Sequence, residues 1–307
     1  MKKESSISFL SRTILSLFGF ILVLVICTQP KQKTDFQTAM ERLVRTYRPE
    51  SSCVALAIYS LRGDSVVFGS NEYCALKPAS DLKLLTTACA LENWDEFMVS
   101  EIEKRLHKSR LKIHRLLLDS SRAESLGIGS QAGPPGYRYL VWTNYQSDNR
   151  LANWLLQIMG KTKHQETQEL IAGYLETNQI PQPGLKVIDG SGRSTENRLA
   201  PITLVMLLRH MYRSGFWNPF MNTLPQPGSN STLRSRGLGL GSRIRAKTGY
   251  IKGTFALSGY LFAENDTFAF SFIVNNCQSG RIAYRLFTKL LLTIYHWDAD
   301  RNISRLP

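Results

Sequence analysis

Apolar and polar positions follow two rhythms along this chain, and their order predicts strands near both ends with helices between. Residues 35–48 (DFQTAMERLVRTYR) place Phe36, Met40, Leu43, Val44 and Tyr47 at helical spacing. Residues 52–60 (SCVALAIYS) form an apolar, partly β-branched run. Arg62-Gly63-Asp64 then marks a turn and Val66 to Phe68 a second short run, which together read as a β-hairpin. Asn71 to Ala79 reads as a connecting loop. Pro78 suits a helix entry, and the helix that opens at Ser80 runs to about Asn93.

The middle of the chain is helical by the same criterion. Glu101 to Leu118 is a mixed basic and apolar stretch that reads as helix, and 124–137 (ESLGIGSQAGPPGY) reads as loop. Tyr139 to Asn149 leads into a helix from Arg150 to Met159, with Leu151, Trp154, Leu155 and Ile158 on one face. A further helix covers about 164–178 and is broken by Pro181-Gln182-Pro183-Gly184. Asp189-Gly190-Ser191-Gly192 is a tight turn. Pro201 opens an apolar helix over 202–214, and 225–243 is loop-rich. Ile244 to Lys247 approaches a strand. Thr254 to Phe262 and Thr267 to Asn275 form a hairpin around Glu264-Asn265-Asp266, and an amphipathic helix over about 280–296 follows. The expected class is α+β, with N- and C-terminal strands sharing one antiparallel sheet and a helical region between them.

Composition narrows the picture. The chain has 307 residues, 43% hydrophobic and 20% charged, and can bury a sizeable core. The organisation expected is a leader over 1–33 and a single domain over 34–307. In the leader, Lys2, Lys3 and Arg12 precede an almost wholly apolar run from Thr13 to Cys27, short for a spanning helix and typical of a signal-peptide core. Leu24-Val25-Ile26-Cys27 resembles a bacterial lipoprotein box with lipidation at Cys27, although Ile26 departs from the small residue expected there. An uncleaved membrane anchor is the alternative, and either places 34–307 outside the cytoplasmic membrane. The net charge of +14 is spread along the chain. It reads first as a solvated basic surface and second as attraction to an anionic polymer or membrane. No helix-turn-helix, zinc-finger or RNA-recognition pattern accompanies it, so nucleic acid is not expected as a partner. None of the five cysteines forms a C-x-x-C pair or has histidine at ligand spacing, so no metal or other cofactor is expected. Cys53, Cys74, Cys89 and Cys277 suit either disulfides in an exported domain or small core positions.

Three short motifs carry chemistry. Ser80 and Lys83 share one face of a first helical turn, so the amine can take the proton of the hydroxyl if its pKa is depressed. A second S-x-x-K, Ser109/Lys112, has no apolar run behind it and reads as a solvated helix face. Ser147-Asp148-Asn149 opens a helix 67 residues after Ser80, and Lys247-Thr248-Gly249 precedes the C-terminal hairpin. In this order they form the signature of β-lactamases and penicillin-binding proteins. Ser147 can pass a proton to a leaving amine and Asn149 can hold a substrate amide. Lys247 and Thr248 can bind a carboxylate, and Gly249 lets a substrate backbone approach the strand. No histidine lies near these motifs, which argues against a Ser-His-Asp triad.

The strings PASDLKLLTTACAL, SDNRLANWLL, DGSGRSTENRLAP and AKTGYIKGTFALSGY resemble the class C low-molecular-mass penicillin-binding proteins, the D-alanyl-D-alanine carboxypeptidases/endopeptidases of the penicillin-binding protein 4 type. The resemblance spans roughly 50–290 and implies the serine β-lactamase/DD-peptidase fold. It implies a metal-free reaction on peptidoglycan peptides through an acyl-enzyme on Ser80, with β-lactams trapping the same serine. It makes Lys83 the general base and places the oxyanion hole at the backbone N–H groups of Ser80 and Tyr250. Two departures stand out. The 67-residue separation leaves no room for the family's long inserted domains, and position 250 is Tyr where a small hydroxyl residue is common. A β-lactamase of the same fold is the alternative, its nearest match to a deacylating-Glu motif being Glu196 to Leu199. A non-catalytic peptidoglycan-binding relative is another. Arg193 and Arg198 flank the Gly-rich turn as candidate contacts for an acidic group on the stem peptide.

Overall fold

The structure is a computed structural model that describes residues 34–109, 117, 119, 121, 133–228, 231–233 and 239–303. The leader (1–33), most of the 124–137 loop and Lys112 lie outside the described residues. The chain falls into two units, Met1–Thr38 and Ala39–Pro307. Within the first, a capping box starts helix α1 (Asp35–Tyr47): the Thr34 N–H donates to Gln37 Oε1 at 3.1 Å and the Gln37 N–H to Thr34 Oγ1 at 3.2 Å.

The second unit is built on a five-stranded antiparallel sheet of order β2-β1-β5-β4-β3, with strands β1 (Cys53–Ser60), β2 (Ser65–Ser70), β3 (Ile244–Ile251), β4 (Thr254–Phe262) and β5 (Thr267–Asn275). N- and C-terminal strands therefore do share one sheet. β1, β4 and β5 are buried along almost their whole length, so they read as apolar runs rather than clean alternations. On one face, Phe272 packs at a tilt against Phe270 and against Phe287 of the C-terminal helix α9 (Gly280–Ile303), with ring centroids 5.0 and 5.7 Å apart. On the other face, Ala57, Tyr59, Ala256, Tyr260, Ala269 and Ile273 join the core of the helical region.

Helix α2 (Leu82–Glu92) is the centre of that region and is buried from Leu82 to Leu91. A helix apolar all round must be enclosed, and α4 (Arg138–Tyr145), α5 (Asn149–Lys163), α6 (Thr167–Thr177) and α7 (Pro201–Arg213) enclose it. Helix α3 (Glu96–Lys108) starts earlier than its sequence suggested, because Asp95 caps it by accepting from the Met98 N–H at 2.8 Å. The predicted lead into α5 forms a helix of its own, α4. The short helix α8 (Trp217–Thr223) lies in a stretch with no sequence signal. β3 runs on through the K-T-G motif to Ile251, since Tyr250 and Ile251 still find partners in Phe255 and Thr254.

Candidate active site

Ser80 does not sit on the α-helix itself. It occupies a single 3₁₀ turn, Ala79–Asp81, and the α-helix begins at Leu82. The entry is bent: Ala79 has φ +48°, sparsely populated for a residue with a Cβ. Three contacts hold the bend. Asn275 grips both peptide groups of Lys77, accepting its N–H at 2.9 Å and donating to its carbonyl at 3.1 Å. Leu76 bridges to Leu199. Gly192 (φ +80°) lies against the Ala79–Ser80 peptide so closely that a Cβ there would stand 1.8 Å from Ala79 O.

Lys83, one turn on, is fully buried. Its Nζ lies 3.0 Å from Ser80 Oγ, 2.8 Å from Asn149 Oδ1 and 2.6 Å from Ser191 O. A neutral amine has two N–H groups and one lone pair. Two of these neighbours can only accept, and the third, the hydroxyl, can donate. The three contacts suit an ammonium that donates to all three as well as a neutral amine that gives its hydrogens to Asn149 and Ser191 and turns its lone pair to Ser80, and the lowered pKa favours the neutral amine. Burial, aided by the positive charge of Lys247, holds the Lys83 pKa well below the ordinary lysine range, against the opposing pull of Asp189, Asp148 and Asp81.

The second motif folds into a tight device. Ser147 takes φ +56°, and Asp148 caps α5 by accepting from the N–H groups of Arg150 and Leu151 at 2.8 and 2.9 Å. Asn149 is then the first residue of α5, placed to reach Lys83. Ser147 Oγ accepts from Lys247 Nζ at 3.1 Å, and Lys247 also donates to Thr248 O at 2.8 Å. Thr248 Oγ1 bonds Thr232 Oγ1 at 2.9 Å, and Thr232 is itself anchored through its N–H to Tyr145 O. Sequence reasoning missed Thr232, which lies in the loop-rich stretch.

β3 is an edge strand, and its N–H groups alternate in direction. The Ala246 N–H points away from β4, since it donates to Pro225 O at 2.9 Å. The β3–β4 register runs unbroken from Ile244 to Ile251, so the Tyr250 N–H, four residues on, points the same way and out of the sheet. An N–H so directed is not spent on the β3–β4 ladder. The exposed Tyr250 ring leans on Phe255, with centroids 5.2 Å apart. Gly249 also has a packing reason: a Cβ there would meet Pro78 O at 2.8 Å and Asp81 Oδ1 at 3.0 Å, so its absence lets the Ser80 turn lie against the strand.

Asp189 organises the Gly-rich turn. Burial raises its pKa, but the N–H of Ser194, the hydroxyl of Ser191 and the N–H groups of Gly192 and Ser191 outweigh this and hold it below the ordinary carboxylate range. This turn presents Ser191 O to Lys83 and Gly192 to Ser80, so its structural role is also the support of the site. Arg198 is spent within the turn on Thr195 O and Asn197 O, whereas the Arg193 side chain is exposed beside Gly192. Glu196 is also exposed and paired with Lys186 at 2.6 Å. His210 bonds Glu92, outside the motifs. Among the described residues no three His, Cys, Asp or Glu side chains gather as metal ligands.

Next to Ser80 lies a buried carboxyl that the sequence reading passed over. Asp81 Oδ2 is 2.6 Å from Ser258 Oγ, which is 2.9 Å from Ser271 Oγ on the next strand. Ser258 donates to Asp81, and the Ser271 hydroxyl can donate to Ser258 in turn. Burial pushes the Asp81 pKa up to about 8, against the Ser258 hydroxyl and the charges of Lys247 and Lys83. The sign follows. Between the ordinary value of 3.8 and about 8 the folded chain holds a proton that the unfolded chain releases. The corresponding stability is complete below the ordinary value and is lost as pH rises through about 8. Wild-type Tm should therefore fall more between pH 5 and pH 8.5 than that of Asp81→Asn, by a few degrees in thermal melts. Parallel curves would show that Asp81 folds ionised.

Comparison with known proteins bears on the family and the fold. D-alanyl-D-alanine carboxypeptidase DacB of Haemophilus influenzae is 26% identical over 234 residues, 71% of this chain and 48% of that protein. Carboxypeptidase DacB of Mycolicibacterium smegmatis is 33% identical over 114 residues, 34% of this chain and 25% of that one. The chain thus spans about half the length or less of these curated relatives. Among solved structures, penicillin-binding protein 4 of H. influenzae in complex with a β-lactam superposes with TM-score 0.66 at 14% identity, over 83% of this chain and 99% of that one. TLA-3 extended-spectrum β-lactamase superposes with TM-score 0.61 at 14% identity, over 85% and 98%. The fold is that of the serine β-lactamases and DD-peptidases. The profile of the D-Ala-D-Ala carboxypeptidase 3 (S13) family matches residues 119–285, which include the second and third motifs, while Ser80 and Lys83 precede the match. With more than half of its length matched, the chain belongs to the D-Ala-D-Ala carboxypeptidase 3 (S13) family.

Proposed function

We propose that the chain is a serine-type D-Ala-D-Ala carboxypeptidase that acts on peptidoglycan stem peptides from outside the cytoplasmic membrane. The observation that carries this reading is the buried Lys83 amine 3.0 Å from Ser80 Oγ, with its other two neighbours able only to accept. Lys83 takes the Ser80 proton as Oγ attacks the penultimate carbonyl. The developing oxyanion is met by the N–H groups of Ser80 and Tyr250. Ser147, which accepts a hydrogen bond from Lys247, passes a proton to the leaving D-alanine amine. Lys247 and Thr248 draw the terminal carboxylate. Water then hydrolyses the acyl-enzyme on Ser80, and a β-lactam acylates the same oxygen. Cutting of D-Ala crosslinks, and membrane association through 1–33 with Cys27 as lipid site, belong to the same proposal.

The β-lactamase alternative has the fold in its favour, but its candidate for a water-activating group is turned to solvent. Glu196, the nearest sequence match, is solvent-exposed and ion-paired to Lys186. The test is release of D-alanine from a pentapeptide ending in D-Ala-D-Ala, run beside a crosslinked dimer and benzylpenicillin. The wild type should release D-alanine and turn penicillin over slowly, and Ser80→Ala should do neither. Rapid penicillin turnover with no D-alanine release would favour the β-lactamase. Inactivity on every substrate from folded wild-type protein would leave a binding relative.

A further inference from the structure

The strap that delivers the nucleophile passes under the open end of β1, and its two ends are tied to neighbours of one cysteine. At the start, Asn71 Nδ2 donates to Val54 O at 2.9 Å. The chain then turns, with the Cys74 N–H donating to Asn71 O at 2.8 Å. At the far end Lys77 is gripped by Asn275, and Asn275 is the β5 residue paired with Cys53. Cys74 is thus carried between the residue that follows Cys53 and the residue opposite it. Both thiols are free and exposed. Both line one groove of about 600 Å³, alongside Glu41 and Arg45 of α1 and Arg48 just after it. The other two described cysteines are buried, and Cys277 Sγ is turned to Ser279 O at 3.2 Å.

We propose that Cys53 and Cys74 are a modification site: they join in a reversible disulfide that fastens the strap leading to Ser80 onto the first strand. The oxidant is a low-molecular-mass disulfide of the glutathione class, whose carboxylates the two arginines attract. One cysteine thiolate attacks it, forming a mixed disulfide and expelling one external thiolate. The second cysteine thiolate then attacks the protein sulfur and expels the other. The pair loses two protons and two electrons, and the external disulfide becomes two thiols. The link closes a loop of about 20 residues, enough to stabilise the folded chain measurably.

The experiment exposes the full-length protein to oxidised glutathione or to a phosphine reductant and maps its peptides by mass spectrometry without reduction. The expected product is a Cys53–Cys74 linked peptide in a monomer, with a Tm about 5 °C above that of the reduced protein. Reductant should reverse the gain, and Cys74→Ser should never show it. Four results would overturn the proposal: both thiols still free, a persistent glutathione adduct, a Cys53–Cys277 link, or an intermolecular dimer. An undiminished Tm gain in Cys74→Ser would overturn it as well.

Discussion

Replacing Lys83 with methionine is expected to slow acylation of Ser80 by a β-lactam about 100- to 10,000-fold, the range a positioned general base contributes. Methionine keeps the buried stem and removes the amine, so the loss isolates the proton acceptor. The variant should stay folded, because α2 packs through the apolar residues around position 83. Its main cost falls on Ser191 O, a buried acceptor that loses its donor at roughly 1–3 kcal/mol, with a smaller cost at the half-buried Asn149 Oδ1. The wild-type acylation rate should also fall with decreasing pH as Lys83 takes up a proton, at a pH well below the ordinary lysine range because burial and Lys247 depress its pKa. Stopped-flow acylation across pH measures both effects. A methionine variant within tenfold of wild type would move the base elsewhere.

Gly192→Ala should be nearly as damaging without touching a reacting group. The new Cβ would lie 1.8 Å from Ala79 O and 2.5 Å from Ala79 C, both backbone atoms, at a φ of +80°. Overpacking and an unfavourable φ together cost roughly 3 kcal/mol or more, a Tm loss of about 6–12 °C. Any relief must come from shifting the Ala79–Ser80 peptide, so acylation should drop at least about tenfold in whatever protein folds. Gly215→Ala is the control: nothing lies within 4 Å of its missing Cβ, and its Tm should barely change. Equal effects at 192 and 215 would mean that the Gly-rich turn does not brace the nucleophile.

The parts of this site that sequence could reveal are those written in contiguous strings. Ser80 and Lys83 are one helical turn apart, Asp148 stands directly before the helix it caps, and Lys247 to Gly249 lie on a strand announced by the hairpin after it. The fold class was readable for the same reason, since buried strands and the enclosed α2 carry long apolar runs. What stayed hidden depends on contacts across the chain. The left-handed Ala79 follows from Gly192, more than a hundred residues away. The acceptors around Lys83 include a backbone carbonyl, Ser191 O, whose direction no side-chain pattern encodes. Asp81, Ser258 and Ser271 left a faint mark: one acid in PASDLK and single serines inside FALSGY and FAFSFI, which the β4–β5 register sets face to face. The limits of α4 and α8 were illegible because packing around α2, rather than capping residues, sets them.

The most direct measurement is to incubate the folded protein with a fluorescent penicillin, digest it and sequence the labelled peptide. One long-lived adduct on Ser80 is the expected result, absent from Ser80→Ala and strongly slowed in Lys83→Met. A label on any other residue, or none on protein whose melting curve shows it folded, would contradict the account.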